Sequence, residues 1–437
     1  MDKFNIINDN SCGWLINLPR RINIETLNED LISDYLIVGA GYTGLSTARK
    51  LSEIDNSKKI ILIDAQLAGE GGSSRNSGYL VDTTLNDGFT SNKDFNNYKK
   101  KIKIYDLGIK AVRKYVKEHQ VECEWNDSGK YFASSKIEDE NKARSFSDLL
   151  TNLSFENKIL YADELKKKLG TSFYKVGLYT KGGILLNPAK LAKSMVNSLP
   201  ENVKLYENTQ LLKWKKINNK IECQFLKNKI VTNNIIFCNN GFLRSLNIKQ
   251  NYSFPITLTA SMTRPLYNDE FQSIGSPKEW GVLPIRPMGA TIRLTKDKRI
   301  LIRNTAEIKN PNLMNEKDLK KRVKLHNLGI KRRFPNLPEN LIENSWSGVV
   351  CRSRNGSQIF EKLDNNIYVA GCYNGSGIGV GTLFGEQIAL MAANQQSQEI
   401  SIIEDRKKPN WLPPQPFLNV GIYTRLAYER FNARSET

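Results

Sequence analysis

An α/β fold whose parallel sheet is interleaved with a second, α+β domain on a mostly antiparallel sheet is predicted by three observations. The first is the apolar run Tyr35–Leu36–Ile37–Val38, followed by glycines at the spacing Gly39-x-Gly41-x-x-Gly44 and by a helical pattern over Leu45 to Leu51. The second is another apolar run, Lys59 to Ile63, which ends on Asp64, twenty residues beyond Gly44. The third is a repeat of the strand, glycine turn and helix order near the end of the chain, over Asn366 to Thr382 with a helix at Leu383 to Ala393. Strand-like stretches at Ile256–Thr263, Thr291–Leu294 and Arg299–Arg303 lie between these units and supply the second sheet.

The first glycine turn has a physical reading. Gly39 permits the turn, Gly41 removes a side chain that would block a pyrophosphate, and Gly44 lets the helix pack closely on its strand. Phosphates then sit on backbone N–H groups at the positive end of the helix dipole, with Tyr42 and Thr43 at the helix entry. Asp64, with Ala65 after it, closes the second strand where a carboxylate accepts both ribose hydroxyls of an adenosine and repels a 2′-phosphate. This is a Rossmann-type unit, and by itself it does not choose between NAD and FAD.

Composition narrows the class. The chain has 437 residues, enough for roughly two to three domains, with 40% hydrophobic and 25% charged residues. No apolar run approaches the ~20 residues of a membrane span, and residues 1–30 lack the apolar core of a secretory signal, so a cytoplasmic location is expected. Six scattered cysteines without a C-x-x-C pair indicate neither zinc nor a disulfide framework. Only two histidines, His119 and His326, are present, which argues against a histidine triad. The net charge of +19 admits an acidic partner such as RNA, yet the lysines are spread along the chain and are read as a solvated basic surface.

In order, residues 1–30 form an extension that Trp14, Leu15, Ile16 and Leu18 can pack onto the body. After the nucleotide unit comes the small and polar stretch Ala68 to Tyr79, too glycine-rich for a regular element, with exposed N–H groups and one arginine suited to an anionic cofactor. Gly69, Gly71, Ser73, Arg75, Asn76 and Gly78 resemble the G-x-G-A-S-G-R-N-G-G segment of amine-oxidising flavoproteins of the D-amino acid oxidase-like superfamily, and most of all the gamma-glutamylputrescine oxidoreductase branch. Gly72 and Ser74 stand where that pattern has Ala and Gly. Helices are expected over Tyr98–Gln120, Glu138–Asn152, from Pro188, and over Glu316–Phe334, and two short strands over Cys123–Trp125 and Gly129–Ala133. Asn234 to Gly241 resembles the strand that these proteins return beneath the adenosine, and Leu412 to Phe417 resembles the tail of the same branch.

The resemblance implies a Rossmann-type FAD-binding domain of the glutathione-reductase kind. Its pieces are expected at 31–90, 181–250 and 341–400, with the substrate domain at 91–180 and 251–340 and a tail at 401–437. It implies FAD held by Gly39, Gly41, Tyr42, Thr43, Gly44, Asp64, Ala65, Gly71, Ser73, Ser74, Arg75, Asn76, Ser77 and Gly78, and by Gly371, Gly375, Gly377, Ile378, Gly379 and Thr382 of the second turn. Gly348–Val349–Val350–Cys351 also resembles the segment by which sarcosine oxidases bind flavin covalently, with Cys351 as the linking residue; its alternative is a small buried hydrophobe.

The expected chemistry is oxidation of an amine or amino-acid C–N bond by hydride transfer to flavin N5, giving an imine that hydrolyses, with oxygen or a redox partner as acceptor. No dedicated base is needed, which suits a chain nearly without histidine. A substrate carboxylate calls for an arginine, and Arg293 and Arg352 are the first candidates, with Arg286, Arg303 and Arg354 also in reach; Trp346 and Tyr373 are candidates for an aromatic wall. Two other readings stand beside this one, a tRNA wobble-uridine-modifying flavoprotein of the same fold and a non-catalytic FAD-holding protein.

Overall fold

The computed structural model describes residues 12–85, 95–308 and 316–437. Strand β1 (Leu31–Val38), helix α1 (Tyr42–Ile54) and strand β2 (Ile60–Ile63) form the first unit. They sit in a sheet with the spatial order Ile359–Asp364, Ile367–Gly371, Lys229–Phe237, β1, β2, Val203–Tyr206. The last five of these run parallel, and an antiparallel pair, Lys213–Ile217 and Lys220–Gln224, joins through Lys229–Phe237. Both faces are covered, which is why these strands read as unbroken apolar runs. Ile37, Ile60 and Leu62 face the helices, while Leu36, Val38 and Ile61 face Ile221, Phe225 and Leu243 on the other side.

Register places Val38 beside Phe237 and Ile63, so the strands end together. Ligands of open α/β sheets bind in the crevice beyond such ends.

The second sheet has the order Ile342–Arg352, Phe254–Thr263, Ile300–Glu307, Thr291–Leu294, Trp280–Pro284, Lys130–Ser134, Val176–Thr180, Asn157–Tyr161. Only the pair of Trp280–Pro284 with Lys130–Ser134 is parallel, so the sheet is mostly antiparallel, as the sequence predicts.

Some boundaries move. Ile342–Arg352, expected with the piece at 341–400, pairs instead with Phe254–Thr263 in the second sheet, setting Trp346 beside Ala260 and Cys351 beside Pro255. The helix Phe95–Glu118, expected with the substrate domain, packs on the helix Gly377–Ala392, which follows the strand Ile367–Gly371 of the first sheet. They approach so closely that a Cβ on Gly108 would stand 2.6 Å from the backbone of Gly379. The boundary expected at 90/91 lies outside the described residues. Cys123–Trp125 forms no strand, and Asn126 makes only an isolated bridge to Leu185. The expected tail holds the helix Phe417–Asn432, whose Leu418, Ile422 and Leu426 bury against Phe254 and Ile256. Of the N-terminal extension, Cys12 and Trp14 pack under Ala260, Met262 and Trp346, whereas Ile16 is exposed.

Candidate functional site

The two glycine turns meet. The hydroxyls of Thr43, in the first turn of α1, and Tyr373, just before the helix Gly377–Ala392, are 2.6 Å apart. Further along, the Thr47 hydroxyl donates to the Gly385 carbonyl at 3.0 Å. Both helices begin without a side-chain cap, at Gly41 and at Ser376. Such starts leave N–H groups and the positive dipole ends for an anionic or electron-rich ligand.

A cavity of about 470 Å³ lies between them. Its walls include Gly39, Gly41, Tyr42, Thr43, Asp64, Ala65, Gly71, Ser73, Arg75, Asn76 and Ser77 from the first unit, and Gly375, Gly377 and Ile378 from the second. Gly39 holds φ at +103°, and a Cβ on Gly44 would lie 1.8 Å from the Gly39 carbonyl oxygen. The turn is therefore closed to any other residue at position 44. Asp64 accepts from the amides of Ala40 at 2.8 Å and Gln66 at 2.9 Å, which fixes its carboxylate at the strand end. Desolvation pushes this carboxyl up to about 6 despite those two bonds.

Gly44, Ser74, Gly78, Cys351, Gly371, Gly379 and Thr382 stand behind the cavity rather than in its wall. Ser74 donates to the Gly69 carbonyl and Thr382 to Ile378, so their hydroxyls are spent on local backbone. Gly78, Gly371 and Gly379 give room to Arg293, Leu243 and Gly108 respectively. Cys351 is buried with Cys372, Leu243 and Val369 on the far side of its strand. Side chains alternate along a strand, and its neighbours Val350 and Arg352 line the cavity, so the Cys351 thiol is turned away from it.

Of the other candidates, Trp346 and Tyr373 line the cavity, and Trp346 is also pinned by its indole N–H to the Arg75 carbonyl at 3.0 Å. Arg293 does not line it. Its guanidinium is fully buried, pairs with Glu279 at 2.7 Å and donates to the carbonyls of Ser77, Gly78 and Leu186. It clamps the glycine-rich loop to the second sheet. Arg286 pairs with Asp139, and Arg354 is exposed. Arg303 does line the cavity, on the same face of the second sheet as Ala260 and Trp346. It donates to the Thr291 hydroxyl, and no carboxylate pairs with it among the described residues. Burial, and then the charge of Arg352, push its pKa down to about 10.

Sequence reasoning missed a third wall. Arg425, Leu426 and Glu429 of the helix Phe417–Asn432 also line the cavity. The apolar spacing Leu418, Ile422, Leu426 was the signal available for that helix.

Known proteins share this fold. The family described as DAO, FAD dependent oxidoreductase, matches residues 34–391. A probable oxidoreductase, OrdL, of Haemophilus influenzae is 22% identical over 397 residues, covering 86% of each chain. Gamma-glutamylputrescine oxidoreductase of Escherichia coli is 24% identical over 377 residues, covering 84% of each. Among solved structures, glycine oxidase of Geobacillus kaustophilus superposes with a TM-score of 0.71 at 14% identity, covering 84% of this chain and 96% of its own. L-alpha-glycerophosphate oxidase of Mycoplasma pneumoniae, with FAD bound, superposes at 0.66 and 16% identity, covering 87% and 97%.

Proposed function

We propose, for a chain that belongs to the DAO family of FAD dependent oxidoreductases, that the reaction is oxidation of the C–N bond of an amine or amino acid carrying a carboxylate. The observation that carries this reading is that Arg303 and Arg352 open into the same cavity as both glycine turns. Arg303 meets no carboxylate among the described residues, a cation so placed is costly without an anion to meet it, and a planar guanidinium holds a carboxylate through two parallel hydrogen bonds. Two of the proteins named above, glycine oxidase and gamma-glutamylputrescine oxidoreductase, carry nitrogen-bearing substrates in their names, whereas L-alpha-glycerophosphate oxidase does not.

The residues present fit FAD. A Cβ at Gly375, where φ is +101°, meets nothing within 4 Å, so the second turn leaves open space beside its own backbone. At Gly41 a Cβ would crowd the Ser73 hydroxyl at 2.8 Å, and that hydroxyl accepts from the Tyr42 amide at 3.0 Å. Asp64 would take the ribose hydroxyls, the start of α1 the pyrophosphate, and the Gly375–Ile378 turn the ring system. Bound FAD supplies the hydride acceptor, its N5, and oxygen or a redox partner takes the electrons onward.

The protein's own part is placement. Arg303, held by Thr291, and Arg352 fix the carboxylate, while Trp346 and Tyr373 wall the reacting end and limit water. No side chain is asked to act as base.

The test is anaerobic bleaching of the yellow holoenzyme with a panel of amines and amino acids. Carboxylate-bearing amines should bleach it, and Arg303→Met should raise KM roughly 10²-fold, about 3 kcal/mol, with a smaller change in kcat. Equal bleaching by amines lacking a carboxylate, or an unaltered KM in Arg303→Met, would remove the anchor from this reading.

A further inference from the structure

The helix Phe417–Asn432 has two apolar faces, and only one is used. Its inward side, Leu418, Ile422, Leu426 and Glu429, recurs at steps of four, four and three residues and is buried against the second sheet and the cavity. Phe417, Val420, Tyr428 and Phe431 lie on the opposite side and are 70%, 63%, 58% and 64% exposed. At about 1.5 Å per residue this stripe runs roughly 21 Å. Tyr423 flanks it at 56% exposure, and Trp411 precedes the helix at 53%. An apolar stripe of this kind, interrupted at its middle by the exposed Thr424, is more than the scattered exposed hydrophobics of an ordinary surface.

Charge is one-sided here. Lys407, Lys408, Arg425, Arg430 and Arg434 are exposed, whereas Glu429 and Glu436, the only acids from Arg406 to Thr437, are both buried. Arg332 of the helix Glu316–Arg333 donates to the carbonyls of Arg434 and Thr437, and with Lys331 it adds two more exposed cations at the same end.

We propose that this face rests on the surface of an anionic lipid bilayer, with Phe417, Val420, Tyr428 and Phe431 at the headgroup level and the flanking cations against lipid phosphates. Aromatic and aliphatic side chains with a positive rim are what a helix lying in such an interface needs, and the nearest exposed acids along the chain are Glu404 and Asp405, before the helix. A second copy of the chain fits poorly, because a two-fold contact through this stripe would bring like charges together. No helix among the described residues is long and apolar enough to cross a membrane, so the contact is peripheral. Because Arg425, Leu426 and Glu429 line the cavity from the same helix, docking would set one cavity wall beside the lipid.

The experiment is sedimentation of the holoenzyme with phosphatidylcholine vesicles, with and without about 30% phosphatidylglycerol, at low and high salt. Binding should be about ten-fold or more stronger with the anionic lipid and weaken with salt, in line with about 1 kcal/mol per cation at the surface. The combined substitutions Phe417→Ser, Val420→Ser and Phe431→Ser should abolish it while flavin content and thermal midpoint stay unchanged. The proposal is overturned if the wild type stays in the supernatant at every composition, which would leave the stripe to an acidic protein. It is equally overturned if neutral and anionic vesicles bind alike, if the triple variant binds like the wild type, or if light scattering shows a wild-type dimer that the variant dissolves. Should the triple variant fail to fold, Lys407→Glu with Lys408→Glu in the intact helix must weaken anionic binding, and unchanged binding counts against the proposal.

Discussion

Gly44 has no room for a methyl group. With the Gly39 carbonyl 1.8 Å from where a Cβ would stand, Gly44→Ala must push α1 off β1 or break the turn. An overpacked, backbone-blocked site costs roughly 3 kcal/mol or more. The expected outcome is a lower thermal midpoint and a colourless protein, read by differential scanning fluorimetry and by the flavin absorbance after FAD is added. Asp64 belongs to the same turn but has a different job, so Asp64→Asn should leave the fold intact and weaken FAD binding roughly ten-fold or more, the value of a charge-assisted hydrogen bond. Titration of the apoprotein with FAD measures it. These residues were legible in the sequence because the spacing of three glycines and an acid after apolar strands has few other uses. Arg293 was not separable from Arg303 in that way. The two are ten residues apart on neighbouring strands and share one face of the second sheet, so only their side-chain partners, Thr291 for Arg303 and Glu279 for Arg293, show which one opens on the cavity.

The two helices that open on the cavity hold each other. Thr43 and Tyr373 share a buried hydrogen bond, and Thr47 donates to the Gly385 carbonyl two turns farther along the second helix. Tyr373→Phe keeps the ring and removes the bond, so about 1 kcal/mol of stability should be lost, with a larger relative loss of FAD affinity because the two starts are no longer fixed together. Chemical denaturation of the apoprotein and FAD titration separate these effects. Thr43→Val should reproduce the result, and the double variant should be no worse than either alone. The sequence showed both strand, turn and helix units but not their mutual contact, which is set by long-range packing. The helix Phe417–Asn432 was hidden for another reason. Exposed aromatics on its outer face blur the 3.6-residue pattern that Leu418, Ile422 and Leu426 would otherwise have announced.

Across the molecule, two buried groups tie stability to pH in opposite senses. His326 is completely buried on the face of the second sheet away from Arg303, with Nδ1 2.7 Å from the Ser261 hydroxyl and Nε2 2.7 Å from the Asn304 carboxamide oxygen. Burial, aided by Arg322 and Arg303, pushes its pKa down to about 3. A folded pKa below the unfolded value of about 6.5 means that the unfolded chain binds the proton more readily. Stability is therefore lost as pH falls below about 6.5 toward 3, at up to about 1.4 kcal/mol per pH unit. Asp64 runs the other way. Its folded pKa of about 6 lies above the ordinary carboxyl value of 3.8, so its contribution is present at low pH and is lost as pH rises through 6. If Asp64 takes the ribose hydroxyls as proposed, bound FAD would reverse that second loss, since those hydroxyls would donate to the ionised carboxylate. Between pH 5 and 7 the gap in thermal midpoint between holoenzyme and apoprotein should therefore widen, and Asp64→Asn should flatten the change. Below pH 6 the midpoint of the holoenzyme should fall, while in the apoprotein the Asp64 gain offsets the His326 loss down to about pH 4, and His326→Gln, which cannot take up the proton, should make the holoenzyme's fall less steep. A holo-minus-apo gap that stays constant with pH would show that the Asp64 carboxyl is not where the cofactor is held, and an unaltered acid slope in His326→Gln would place the acid lability elsewhere.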